Sequence, residues 1–101
     1  MSESKLQAKC MKLARLNKVL VRKVHAENRI GFPDLLLIFS ITGQTVYVEM
    51  KRPNGTGKLS KLQDRELKRI RKQNASAYQC DSYEWFTHII ETHLRIEFRE
   101  L

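Results

Sequence analysis

The chain has 101 residues, 42% of them hydrophobic and 30% charged, with 19 Lys and Arg against 11 Asp and Glu for a net charge of +8. That length supplies one small core, so residues 1–101 are expected to form a single domain, and the composition excludes intrinsic disorder. The longest apolar run, residues 35–39, is far short of the ~20 residues that cross a bilayer, and the charged N-terminus lacks a signal-peptide core, which predicts an intracellular, cytoplasmic protein with a polyanionic partner.

In chain order, Leu6, Cys10, Leu13 and Leu16 recur at helical spacing, which predicts a first helix from Lys5 to Leu16 with Ser2 or Ser4 as its cap. Asn17 breaks the pattern, and Val19–Val24 is β-branched enough for a strand. His25 to Pro33 reads as an irregular loop. Asp34 then opens a second strand, Leu35 to Ile41, apolar on both faces; Thr42-Gly43-Gln44 turns it into a third, Thr45–Lys51. After the loop Arg52–Lys58, the pair Ser60 and Gln63 has capping-box spacing and opens a second helix, with Leu62, Leu67 and Ile70 expected inside and Asn74 at its end. Ala77–Cys80 is a short strand. Ser82 caps a third helix with Trp85 or Phe86, Ile89, Ile90 and His93 inward, and the alternation of Leu94, Ile96 and Phe98 predicts a terminal strand. Cys10 and Cys80 have no zinc or disulfide spacing and read as packed thiols.

The positive charge is concentrated. Residues 1–24 carry seven bases and one acid, residues 51–73 carry nine and two, and the remainder sums to −5. A fold that joins the two segments presents a basic face suited to nucleic acid.

Three charged residues stand where a core would not want them. Asp34 precedes the most apolar run, while Glu49 and Lys51 lie on a strand of residues suited to burial. Side chains two apart on a strand share a face, so Glu49 and Lys51 emerge together and Met50 opposes them. A hairpin about residues 42–44 then brings Asp34 beside them at one sheet end. Two converging carboxylates repel unless a cation neutralises them, and oxygen donors suit Mg²⁺ or Mn²⁺, with the Met50 backbone carbonyl as a further ligand. Such a metal activates water against a phosphodiester, and the Lys51 cation orients that water or stabilises the extra negative charge of the transition state.

Gly31-Phe32-Pro33-Asp34 followed by Glu49-Met50-Lys51, the segment Lys58-Leu59-Ser60-Lys61-Leu62-Gln63, Cys80-Asp81-Ser82 and the αβββαβ order together resemble the PD-(D/E)XK nucleases, and within them the virus-type replication-repair (VRR-NUC) domain. The resemblance covers nearly the whole chain. It implies an α/β restriction-endonuclease-like core, a mixed central sheet flanked by helices, with Asp34 and Glu49 as metal ligands, Lys51 as catalytic lysine and Gln63 as the active-site glutamine. It also implies a metal-binding glutamate on the first helix, for which Glu3 is the acid available.

Lys23, Arg29, Arg52, Lys58, Lys61 and Arg65 are the cations expected to reach phosphates. With no element suited to base-edge reading, structure-selective cleavage is expected. One active site per chain suggests a homodimer, and small stand-alone proteins of this resemblance point to four-way junctions and a phage or other mobile-element origin. A flap, end or single-strand nuclease of the same fold, or a non-catalytic DNA-binding module, are the alternatives.

Overall fold

The computed structural model describes residues 1–25, 30–53 and 57–101. The first helix, α1 (Glu3–Leu16), begins at Ser2, whose side chain accepts a hydrogen bond from the Lys5 amide, and its buried residues Leu6, Cys10, Met11, Leu13 and Ala14 follow the helical period. It ends where Asn17 caps it and Lys18 takes a φ of 61°. Three antiparallel strands follow: β1 (Leu20–Lys23), β2 (Leu35–Ile38) and β3 (Thr45–Met50). A crossover through α2 (Lys61–Lys72) returns the chain as β4 (Ser76–Cys80), parallel to β3, and α3 (Tyr83–His93) completes the sequence of elements. The sheet order β1-β2-β3-β4 is therefore mixed, as the α/β core predicts.

Register sorts the side chains. Val21, Leu37 and Val46 lie across from one another, as do Leu35 and Val48, and these residues with Met50 and Cys80 join α1 and α3 in one buried cluster. The opposite face carries Tyr47, Glu49, Ala77 and Gln79, and there α2 packs on β4 with Leu67 buried. Strand alternation thus sends Met50 into the core and Glu49 and Lys51 toward α2.

All three helices start at the same end of the sheet. β2 begins and β3 and β4 finish there; α2 is capped by Ser60, α3 follows directly from β4 with Ser82 as its cap, and Glu3 of α1 lies near enough for its charge to act on Glu49.

Three expectations are corrected and one left open is resolved. The second strand stops at Ile38, because Ile41 takes a left-handed φ of 71° and the turn closes by Phe39 N–H donating to the Gln44 carbonyl at 3.0 Å. Residues 94–98 form no strand; the segment is held by Asn17, whose amide donates to the Arg99 carbonyl at 2.9 Å and accepts from the Arg99 N–H at 2.7 Å. Leu62 faces outward on α2, 43% exposed, since the inward phase falls on Glu66 and Leu67. Of the pair on α3, Phe86 is buried and Trp85 stays outside, its indole N–H donating to the Gln79 carbonyl at 3.1 Å.

Candidate active site

The site forms where β2 begins and β3 ends. Leu35 pairs with Val48, so Asp34, one residue earlier, falls opposite the end of β3, and its Oδ2 accepts the Met50 N–H at 2.9 Å. The main chain on its other side is held too, by the Val24 N–H donating to the Asp34 carbonyl at 2.8 Å. Beyond β3, the Lys51 N–H donates to the Cys80 carbonyl at 2.8 Å, which extends the parallel ladder by one residue and fixes the lysine backbone.

From this frame the side chains converge. Glu49 is only 3% exposed, and its Oε2 lies 3.8 Å from Lys51 Nζ and accepts from Gln63 Nε2 at 3.2 Å. Lys51 Nζ donates to Gln63 Oε1 at 2.9 Å. The same Gln63 oxygen accepts the Ser60 N–H at 2.9 Å, while Ser60 Oγ accepts the Gln63 N–H at 3.1 Å, a complete capping box. One glutamine therefore both starts α2 and ties it to Glu49 and Lys51. The capping role of Gln63 and its contacts with Glu49 and Lys51 are simultaneous properties of one side chain.

Gly31 sets how close α2 can come. Its φ is +90°, and a Cβ there would lie 2.7 Å from the Leu62 carbonyl carbon and 2.9 Å from the Gln63 nitrogen. Only glycine permits both the backbone conformation and the approach. Gly57 lies similarly against Lys51, where a Cβ would stand 3.2 Å from the lysine Cβ. Neither role was assigned from the sequence; the signal available for Gly31 was its place in Gly-x-Pro-Asp, just ahead of the acid.

The carboxylate charge at the site is compensated only in part. Burial pushes the Glu49 carboxyl up to about 8, the charge of Asp34 and the contact between the two carboxyl groups add to this, and Lys51 only partly offsets them. Glu49 Oε1 is buried without a hydrogen-bond partner. An orphaned carboxylate oxygen beside a second carboxylate is the donor chemistry a hard divalent cation takes, so Asp34 and Glu49 fit such an ion. Glu3 is not brought into a three-carboxylate group: it sits exposed on the first turn of α1, its charge is the least of the influences on Glu49, and no cluster of three or more His, Cys, Asp or Glu metal donors occurs among the described residues.

Lys23, Arg52, Lys58, Lys61 and Arg65 are all exposed, and Arg29 lies outside the described residues. On α2 the exposed cations Lys61, Arg65, Lys68 and Lys72 form one row that starts beside Gln63, although Lys68 also pairs with Asp64 at 2.8 Å.

Comparison with known proteins agrees with this fold. The VRR-NUC domain family model matches residues 2–84. A solved structure described as a VRR-NUC domain superposes with a TM-score of 0.80 at 31% identity, over 90% of this chain and 96% of that one. A search of curated protein sequences returns no significant match. With the family model covering most of the chain, and the fold and the Asp34, Glu49 and Lys51 arrangement in place, the chain belongs to the VRR-NUC family, nucleases of the PD-(D/E)XK type.

Proposed function

We propose that the protein is a divalent-metal-dependent, structure-selective endonuclease for branched DNA, with the four-way junction as its substrate and a homodimer as its working form. The observation that carries this reading is the buried, unpartnered Glu49 Oε1 beside Asp34, with a lysine held against the same carboxylate. Asp34 and Glu49 would hold Mg²⁺ or Mn²⁺, with the Met50 carbonyl as a further oxygen. When bound, the ion supplies Lewis-acid polarisation of a phosphate oxygen and lowers the pKa of water.

The chain's own residues do the rest. The Met50 N–H fixes one oxygen of Asp34 and leaves the other to bind. Gln63 holds Glu49 Oε2 and the Lys51 ammonium in a fixed relation, so the lysine does not collapse into a tight ion pair that would spend its charge on Glu49. Lys51 is then available to orient the attacking water and to stabilise charge developing on the phosphate. The α2 row supplies phosphate contacts that carry no sequence information, which supports selection by shape. A single chain has one such site, and a two-fold pair matches the symmetry of a four-way junction.

The test is cleavage of a labelled panel of four-way junction, flap, duplex and single strand with Mg²⁺, Mn²⁺ or EDTA, beside the Lys51→Ala protein. Paired symmetric nicks confined to the junction, absent with EDTA or the variant, are expected, with a dimer by light scattering. Cutting that favours flaps, ends or single strands would replace the substrate, and tight binding without metal-dependent cutting would overturn the enzyme reading.

A further inference from the structure

We propose that Ile30 and Leu62 form an apolar wedge beside the active site that stacks against the base pair exposed at a DNA branch point. The proposal rests on the nuclease reading above for its substrate and names the element of the site that senses branching. Both side chains are bare aliphatics in solvent: Ile30 is 78% exposed and Leu62 43%. They belong to segments that touch. Gly31, the covalent neighbour of Ile30, lies so close to the Leu62 carbonyl that a Cβ would meet it at 2.7 Å. Leu62 in turn is covalently joined to Gln63, which binds Lys51 and Glu49.

Two isolated features thus become one. Exposed aliphatic residues scattered singly need no explanation, but these two flank the backbone contact between Gly31 and Leu62 that positions the site. The surroundings identify the occupant. Leu62 is flanked in sequence by Lys61, and Arg65 lies one helical turn on, both exposed, so the patch is rimmed by cations that attract phosphate. An aliphatic side chain gains nothing from phosphate or sugar oxygens. Within a continuous duplex the apolar base faces are stacked away; at a branch the terminal pair of an arm presents such a face next to the backbone. Leu and Ile are among the residues that wedge against unstacked bases in this way. Cations then hold the strand while the wedge decides which phosphate, the one nearest the branch, reaches Glu49 and Lys51.

The experiment uses the Ile30→Ser/Leu62→Ser double variant. Because both side chains are exposed, its thermal midpoint should stay near that of the parent, and an Ile30→Val/Leu62→Met variant controls for any loss of fold by restoring apolar bulk. Binding is read in the Lys51→Ala background without added metal, on junctions carrying 2-aminopurine either at the branch or within an arm. The expected result is a several-fold fluorescence rise at the branch only, abolished by the Ser variant, restored by the Val/Met variant, with affinity changed less than threefold. In the active background the junction-to-duplex cleavage ratio should fall at least tenfold in the Ser variant. An unchanged fluorescence rise would overturn the wedge, as would conversion of a dimer to a monomer, which would make the patch a contact between copies. A branch-specific signal lost in the Ser variant, in a protein that shows no metal-dependent cutting, would support the wedge and refute the nuclease reading instead.

Discussion

Glu49→Gln should make the metal-free protein more stable while ending its activity. Burial and the neighbouring Asp34 raise the Glu49 carboxyl from 4.5 to about 8. Because the folded value lies above the unfolded one, the folded state retains a proton that the unfolded chain has released, and stability falls as pH rises from 4.5 through 8. At about 1.4 kcal/mol per unit, the penalty at pH 7.5 has an upper bound of about 4 kcal/mol. Relaxation of the site and its solvent brings the expected gain to about 2 kcal/mol, which for a chain of this size is a Tm increase on the order of 10 °C. A glutamine keeps the shape, can accept from Gln63 Nε2 as Glu49 Oε2 does at 3.2 Å, and brings an amide that can donate to Asp34. The assay is thermal unfolding of parent and variant in EDTA between pH 4 and 8.5. The two should coincide near pH 4 and diverge to a plateau above pH 8; with Mg²⁺ the parent should recover and the variant should not. A variant less stable than the parent at pH 7.5, or a gap that does not change with pH, would refute the reasoning.

Asp34→Asn and Lys51→Ala should each lower cleavage on the order of 10²-fold or more with junction binding retained, measured by single-turnover kinetics and anisotropy; loss of binding and fold together would mark them as structural. Gly31→Ala should destabilise by about 1–3 kcal/mol in urea titrations, since it combines a φ of +90° with a 2.7 Å approach to Leu62; an unchanged midpoint would show that α2 does not rest on this glycine. Lys68→Ala/Lys72→Ala should reduce the slope of log affinity against log salt by about 1 for each phosphate that is no longer neutralised, and an unchanged slope would remove the α2 row from the DNA path.

The centre of the site was legible because local rules decide it. Two-residue alternation puts Glu49 and Lys51 on one face and Met50 on the other, and a short hairpin carries Asp34 to the same end. What escaped depends on partners distant in sequence. The alternation of Leu94, Ile96 and Phe98 suggested a strand, yet the tail is captured by a buried Asn17 side chain that satisfies both backbone groups of Arg99, 82 residues away. No pattern within the tail encodes that. On α2 the apolar residues mark the buried stripe only in part: Leu67 lies on it, but so does Glu66, paired with Arg69 at 3.2 Å, and Leu62 does not. On α3 the helical period alone left Trp85 and Phe86 open; Phe86 takes the core, and Trp85 has its N–H satisfied at the end of β4 while much of its ring remains in solvent.

The shared starting point of α1, α2 and α3 has a consequence for how charge is distributed. A helix start carries the equivalent of roughly half a positive charge on its free amides, concentrated in the first turn. Three such starts at one rim make a field whose source is peptide geometry and not side chains. Replacing surface lysines one by one would weaken the attraction for a polyanion in steps, but part of it would persist for as long as the helices are folded. The serine caps take up individual amides without carrying a charge of their own, and it is Glu3, Asp64 and Glu84 in the first turns that offset part of this polarity. Evolution can therefore redraw the exterior cations to suit a different nucleic-acid shape while this backbone contribution at the rim persists.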